Sequence, residues 1–360
     1  MDQMVNPDHP LRKAFEGKRV LVTGDTGFKG SWLCLWLAKM GAQVMGYALP
    51  VERADDHFAL LGLDGIIEHV DGNILDAAAL NAAFERFQPE VLFHLAAQPL
   101  VRFSYAEPKL TFDTNIAGSV NVLEAVRLSH SLKAVVYVTS DKCYRNNEWI
   151  WGYRENDELG GHDPYSASKA AAELVFSSYQ DSYFHARANF GAATVRAGNV
   201  IGGGDWALDR IVPDAVRALR AGLPIEVRNP HSTRPWQHVL EPLSGYLTTA
   251  ARLLDEPKRF AGAWNFGPDT TSVRTVGELA TMIVGEWGSG AVRIAEQEHA
   301  VHEARLLHLN CDKAHQLMGW RPKWTADRAV AETIAWYHGV HHGHDPLEIS
   351  TKQILAYMES

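Results

Sequence analysis

Residues 19–30 read Arg-Val-Leu-Val-Thr-Gly-Asp-Thr-Gly-Phe-Lys-Gly, and their order decides the fold. Arg19–Thr23 is a short apolar run of strand type. It stops at Gly24, and the glycines Gly24, Gly27 and Gly30 are spaced G-x-x-G-x-x-G. Ser31–Met40 then continues as a helix. A glycine turn between strand and helix lets the backbone approach a pyrophosphate, and the free N–H groups of the helix N-terminus meet the anion. The alternative is a glycine-rich turn without a ligand, which the strand–turn–helix setting disfavours.

Outward from this turn, strand and helix patterns alternate. Gln43–Ala48, Ile66–Val70, Glu90–Leu95, Ala134–Thr139 and Ala192–Ala197 read as strands, and Ala77–Phe87, Thr111–Ser129 and Pro164–Ser182 as helices. Short apolar strands separated by helices predict an α/β fold, a doubly wound, mostly parallel sheet of Rossmann type with both faces covered. After Gly202 the chain turns richer in Pro, Trp and Arg, with pieces at Arg210–Ala221, Ile225–Val227, Arg234–Trp236 and Trp264–Asp269. Residues 1–201 are expected to bind the dinucleotide. Residues 202–360 are expected to form mainly a smaller α/β lobe for substrate, with a segment near 236–266 returning to the first domain.

Composition narrows the class. The chain has 360 residues, 46% hydrophobic and 21% charged, which excludes a disordered or fibrous protein. Its 34 basic residues against 43 acidic give a charge of −9, and no basic stripe stands out, so neither nucleic acid nor a membrane is an expected partner. Cys34, Cys143 and Cys311 are few and far apart, which points to a reducing compartment and away from disulfides or a thiolate zinc site. The first residues carry no signal-peptide core, and the apolar stretch Trp32–Leu49 is broken by Lys39, Gly41, Gln43 and Gly46. A cytoplasmic protein is expected. The tract His338, His341, His342, His344 lacks ligand spacing and reads as surface, so no metal site is expected.

Two further patterns carry chemistry. Tyr165 and Lys169 stand four apart at the start of a helix, on one face. A cation beside a phenol is expected to lower its pKa from ~10, so that it can take a proton from a hydroxyl as hydride leaves for a nicotinamide. The second strand ends Gly46–Pro50 without the acid that usually holds the adenosine ribose, and Glu52 and Arg53 lie beyond it. This leaves NAD against NADP open at that strand. Asp71–Ile74, after the third strand, is either an adenine-edge contact or an ordinary turn.

The glycine loop, His94-Leu95-Ala96-Ala97-Gln98, Thr114-Asn115, Thr139-Ser140-Asp141 and Tyr165/Lys169 together resemble the extended short-chain dehydrogenases/reductases. So do Asn199–Gly202, Arg234–Trp236, Trp264–Gly267 and Leu317–Pro322, so the likeness covers nearly the whole chain. Within the family, Gly24–Trp32, Ser140–Tyr144 and Gly202–Trp206 look most like the 4,6-dehydratases that act on CDP-glucose. The resemblance implies NAD as cofactor. Its contacts would be Gly24, Thr26, Gly27, Phe28, Lys29, Gly30, Asn73, Ile74, Leu95, Ala96, Ala97, Asn115, Thr139, Tyr165 and Lys169.

It also implies a lyase cycle: oxidation at C4, loss of water across C5 and C6, and hydride return to C6, in deoxysugar and lipopolysaccharide O-antigen synthesis. Tyr165 would be the base at the C4 hydroxyl and Ser140 a donor to the C4 oxygen. Asp141 would be the acid at C6, its pKa raised by burial. In dTDP-glucose dehydratases an Asp-Glu pair matches Asp141-Lys142. Lys142 would be either a desolvated base at C5 or a structural cation. Substrate contacts would be Gln98, Ser140, Asn199, Arg210, Arg234 and Arg305, with Arg234 and Arg305 facing the diphosphate and Asn199 a phosphate oxygen or the sugar. A homodimer or homotetramer is implied, built on the helices Thr111–Ser129 and Pro164–Ser182. The alternatives are a nucleotide-sugar 4-epimerase, a dehydratase for another nucleotide sugar, or a non-catalytic NAD-binding scaffold.

Overall fold

The computed structural model describes residues 4–269, 272–294 and 306–360. Seven parallel strands form the main sheet: β1 (Arg19–Thr23), β2 (Gln43–Ala48), β3 (Glu68–Asp71), β4 (Val91–His94), β5 (Ala134–Val138), β6 (Gly191–Ala197) and β7 (Gly262–Phe266). Their spatial order is β7-β6-β5-β4-β1-β2-β3. The chain therefore winds one way from β1 to β3 and the other way from β4 to β7. The reversal leaves a crevice at the carboxyl ends of β1 and β4, where such sheets bind ligands.

Period-two alternation divides the strands between two cores. Val20, Val22, Phe93 and Val136 point to one face, and Leu21, Leu92, Val135 and Tyr137 to the other. Both sets are apolar, so the strands read as continuous hydrophobic runs. The main helices are α1 (Phe28–Lys39), α2 (Ala77–Phe87), α3 (Ser119–Leu128), α4 (Pro164–Tyr179), α5 (Leu240–Asp255) and α6 (Pro346–Glu359). α2, α3 and α4 cover the Leu21 face, and α1, α5 and α6 lie on the Val20 side.

α1 is buried nearly all round, from Ser31 to Leu37. A helix apolar on every side lies inside a protein or a membrane. Here it lies between the sheet and the C-terminal segment: the Trp32 indole donates to the Gly203 carbonyl at 2.9 Å and the Trp36 indole to the Met358 sulfur at 2.9 Å. Among the described residues no helix is long and apolar enough to cross a membrane.

Two elements differ from expectation. The helix expected over Thr111–Ser129 is interrupted: Pro108–Phe112 leads into a wide π-type turn, Asp113–Gly118, before α3. Asn115 inside that turn bonds outward to the β4 loop, and Gly118 packs closely on Ile74, where a Cβ would stand 2.7 Å from that side chain. α4 likewise ends at Tyr179 and widens over Gln180–Phe184. Trp264–Phe266, in the segment expected to return to the first domain, lies in β7, paired with β6 in the register Trp264↔Val195. The smaller lobe is built of short pairs: Val200–Ile201 with Gln237–His238, Thr233–Pro235 with Val273–Thr275, and Ile225–Val227 with Val292–Ile294.

Candidate active site

The crevice opens into one cavity of about 1890 Å³. A single small-molecule pocket is typically ~300–1,000 Å³, so this one has room for two ligands. Its walls join the glycine loop, the ends of β4, β5 and β6, the start of α4 and the smaller lobe.

At the loop, each glycine has a separate reason. Gly24 has φ +80°, and a Cβ there would stand 2.7 Å from the Ala96 nitrogen. A Cβ on Gly30 would stand 2.0 Å from the Gly24 carbonyl. These two shape the turn. Gly27 caps α1 without any side-chain hydrogen bond, so the first N–H groups of the helix face the cavity. That bare, cationic helix end fits a pyrophosphate.

Asp25 is turned the other way. Its carboxylate is fully buried against β2, where a Cβ on Gly46 would fall 1.9 Å from it. It pairs with His69 Nδ1 at 2.7 Å, and His69 Nε2 reaches Asp71 at 3.1 Å. Burial holds the Asp25 carboxyl above its usual range, while His69 is raised mainly by its bond to Asp25.

At the adenosine end, Gly72, Asn73 and Ile74 line the cavity beside Ala48 and Leu49. Thr26 Oγ1 donates to the Leu49 carbonyl at 3.1 Å, tying loop to strand end. Arg53 is engaged by Asp55 through two bonds of 2.8 Å and does not line the cavity, and nor does Glu52. Leu95, Ala96 and Ala97 form the wall after β4. Asn115 stands apart from the other expected cofactor residues, because it does not line the cavity. Its amide accepts from the Gln98 N–H at 2.8 Å and donates to the Gln98 carbonyl at 3.0 Å and to Ser168 Oγ at 2.9 Å. It clamps the β4 loop to α4.

The reaction floor is where β5 ends beside α4. Thr139, Ser140, Asp141, Lys142, Tyr165 and Lys169 all line the cavity. Ser140 Oγ donates to Asp141 at 2.9 Å and also bonds Tyr165. Asp163 caps α4 by accepting from the Ser166 N–H at 2.9 Å, which fixes where Tyr165 emerges. Burial raises the Asp141 carboxyl above its usual range, as expected; Lys142, Ser140 and Lys29 oppose the rise.

The phenol differs from expectation. Burial pushes Tyr165 up to about 12, with Asp141 adding to the rise and Ser140 and Arg210 opposing it. Desolvation of a phenolate outweighs both of these opposing partners. Lys169 is itself drawn down to about 8 by burial, against the pull of Glu173. Lys142 is half-buried at the cavity wall.

On the sugar side, Gln98, Asn199, Arg210 and Arg234 line the cavity. Gln98 is held by Thr111 at 2.8 Å, and Arg210 is held by the buried Asp205 at 2.8 Å. Arg234 lies on the Thr233–Pro235 strand, opposite Arg274. Arg305 lies outside the described residues. Trp236 is buried at the cavity wall, whereas Trp206 packs edge-on against Tyr337 at 5.1 Å, inside the core. Cys143 is buried, and burial holds its thiol well above the ordinary value, so it is no nucleophile. Among the described residues no cluster of three metal-ligating side chains occurs.

Sequence reasoning missed the support beneath this floor. Glu173, one turn beyond Lys169, is 4% exposed and Arg196 on β6 is 3% exposed. Two parallel bonds of 2.8 Å join them. Glu173 also accepts from Thr139 and, at 2.8 Å, from Thr194. Arg196 continues to the Tyr144 hydroxyl at 2.6 Å, and Tyr144 to Asn265 of β7 at 2.8 Å. The network thus ties α4, β5, β6 and β7 together under the reactive side chains. The signal available was a Glu four residues after Lys169 and an Arg in a strand otherwise apolar.

Known proteins resemble this chain in sequence and in fold. The family described as GDP-mannose 4,6 dehydratase matches residues 21–333. A CDP-glucose 4,6-dehydratase of Salmonella typhimurium is 47% identical over 351 residues, which covers 96% of this chain and 98% of that protein. A UDP-glucose 4-epimerase of Mycolicibacterium smegmatis is 27% identical over 326 residues, covering 89% of this chain and 98% of that one. Among solved structures, the dTDP-glucose 4,6-dehydratase of Bacillus anthracis in complex with NAD superposes with TM-score 0.75 at 21% identity, covering 92% of this chain and 100% of that one. The Streptomyces venezuelae dTDP-glucose 4,6-dehydratase, with NAD bound, gives 0.76 at 24% identity, covering 91% of this chain and 99% of that one. With its sheet order, its glycine loop and a match over most of its length, the chain belongs to the GDP-mannose 4,6 dehydratase family of extended short-chain dehydrogenases/reductases.

Proposed function

We propose that the protein is an NAD-dependent lyase that converts CDP-glucose to CDP-4-keto-6-deoxyglucose. The observation that carries this reading is the near full-length likeness, 47% identical, to the Salmonella CDP-glucose 4,6-dehydratase. It is supported by Ser140, Asp141, Lys142, Tyr165 and Lys169 standing round one cavity.

The bare N-terminus of α1 and the turn of Gly24 and Gly30 fit the pyrophosphate of a dinucleotide. NAD bound there would supply a hydride acceptor with a positively charged ring for oxidation at sugar C4, and the hydride returned at C6. Gly24, Thr26, Gly27, Phe28, Asn73, Ile74 and Leu95–Ala97 would hold it. Tyr165 takes the C4 hydroxyl proton and Ser140 donates to the C4 oxygen. Arg210 and Ser140 favour the phenolate that burial opposes.

The C4 ketone acidifies C5–H. Lys142, at the position of the family's carboxylate base, takes that proton. Asp141, whose carboxyl burial raises above its usual range, gives its proton to the C6 oxygen as the C6–O bond breaks and water leaves. The proton then returns to C5. Residues 1–201 would serve the cofactor and 202–360 mainly the nucleotide sugar, with Asn199, Arg210 and Arg234 toward the diphosphate.

We further infer a cytoplasmic homodimer or homotetramer working in deoxysugar and O-antigen synthesis. Exposed Phe112 and Leu128 at the two ends of Thr111–Ser129, and exposed Leu174 on α4, favour self-association through these two segments.

The test is mass spectrometry of the purified protein given NAD and, separately, CDP-, dTDP-, UDP- and GDP-hexoses. Loss of one water from CDP-glucose is expected. Conversion to an epimer at unchanged mass overturns the dehydratase reading.

A further inference from the structure

Lys29 follows Phe28 in the phosphate loop, a position that places it by sequence among the cofactor contacts. Its surroundings belong to the sugar chemistry instead. The side chain lines the cavity and is half-buried. Its ammonium sits over the ring of Tyr246, 5.9 Å from the centroid. Tyr246 comes from α5, and its buried hydroxyl has no hydrogen-bond partner. The charges that face Lys29 are Arg210 and Asp205 from the smaller lobe, Asp141 from the end of β5 and Lys169 from α4. Tyr246 in turn faces Asp141 and Tyr165.

Of the two carboxylates in this group, Asp205 already accepts from Arg210 at 2.8 Å. Asp141 accepts from the neutral Ser140 hydroxyl at 2.9 Å and from the Lys142 backbone N–H. Two cations, Lys142 and Lys29, face this carboxylate. Lys142 stands beside Asp141 on the half-exposed side, and Lys29 approaches from the loop side. When Asp141 gives its proton to the departing C6 oxygen, a buried carboxylate is left behind. An unpaired buried carboxylate is costly, and a nearby ammonium lowers that cost in the transition state.

We infer that Lys29 is a positioning residue of the elimination step: its ammonium stabilises the Asp141 carboxylate that forms as the C6 hydroxyl leaves as water. The inference deepens the dehydratase reading and rests on it for the identity of the step. Burial, and then Arg210, draws the Lys29 amine down to about 8, so its help fades in mildly alkaline solution.

Three variants test this, Lys29→Met, Lys29→Arg and Asp141→Asn. In Lys29→Met, kcat for CDP-glucose is expected to fall by about 10²-fold, the low end of general-acid effects. KM and the NAD retained by the purified protein stay unchanged, and reduced cofactor accumulates at 340 nm because oxidation outruns elimination. The descending pH limb of Asp141 moves to higher pH, because a cation that favoured its ionised form is gone. Lys29→Arg restores kcat and the limb. Loss of retained NAD with elimination intact would make Lys29 a pyrophosphate ligand and overturn the inference.

A readout without turnover separates this inference from the function itself. In protein labelled at lysine Cε with carbon-13, the Lys29 resonance is assigned by its absence in Lys29→Met. Its titration should move to lower pH in Asp141→Asn, where the negative neighbour is gone. An unmoved titration overturns the pairing. A wild-type protein inactive on CDP-glucose but with the shifted titration overturns the dehydratase reading and leaves the pairing standing.

Discussion

The phosphate loop and the reaction floor stand side by side at the carboxyl ends of one sheet, and they are held by opposite means. The loop is held by what is missing: Gly24 and Gly30 leave space that a single Cβ would fill with backbone clashes of 2.7 and 2.0 Å. The floor is held by what is added: a buried carboxylate and guanidinium, joined by two 2.8 Å bonds and surrounded by Thr139, Thr194, Tyr144 and Asn265. A glycine turn binds with backbone, so its precision comes from local geometry. A floor that moves protons binds with side chains, whose precision must come from fixed partners beneath them.

The comparison breaks most visibly at Glu173. Glu173→Gln keeps the shape but leaves Arg196 buried without its counter-charge, which costs about 3–5 kcal/mol for a buried pair. Urea denaturation followed by circular dichroism should show that loss, with Glu173→Asp recovering part of it. A midpoint equal to wild type would mean that the floor does not depend on this pair. Gly30→Ala is the matching change in the loop. Its added methyl meets the Gly24 carbonyl, so the turn must shift, at about 1–3 kcal/mol of local strain. Retained NAD, measured by absorbance after denaturation, should fall while Tyr165 and Lys169 keep their places. Full retention would mean that the turn is not shaped by close packing.

The same contrast explains what could be read from the sequence. β1, β2 and the helix Ala77–Phe87 were legible to the residue, because period and glycine punctuation are local. The loop was legible for the same reason, and so was the pairing of Tyr165 with Lys169 on one helix face. β7 was harder to place: Gly262–Phe266 lies far along the chain among small-lobe elements, and only the sheet edge beside β6 explains it. The turn at Asp113–Gly118 was hidden because Asn115 bonds outward to Gln98, a tertiary event that no helical period records. The direction of the Tyr165 shift was misread for a related reason. Lys169 is near in sequence, but burial, which the sequence does not state, dominates.

The smallest effect is a matter of pH, and it joins the floor to its support. Lys169 is lowered from 10.5 to about 8, mainly by burial, and Glu173 pulls it back up. Its depressed value means that the stability gained by keeping the amine neutral is complete above about 10.5 and is lost as the pH falls through about 8. Activity runs the other way, because the charged amine is the form that favours the Tyr165 phenolate. The oxidation step, followed as reduced cofactor in a single turnover, should therefore weaken above about pH 8. Glu173→Gln removes the charge that holds Lys169 up, so in the fraction that stays folded the same limb should begin at lower pH. A limb that stays in place would separate the two parts of the floor. Glu173 and Arg196 would then support the strands without tuning the lysine, and the precision of the reactive pair would rest on Asp163 and Ser140 alone.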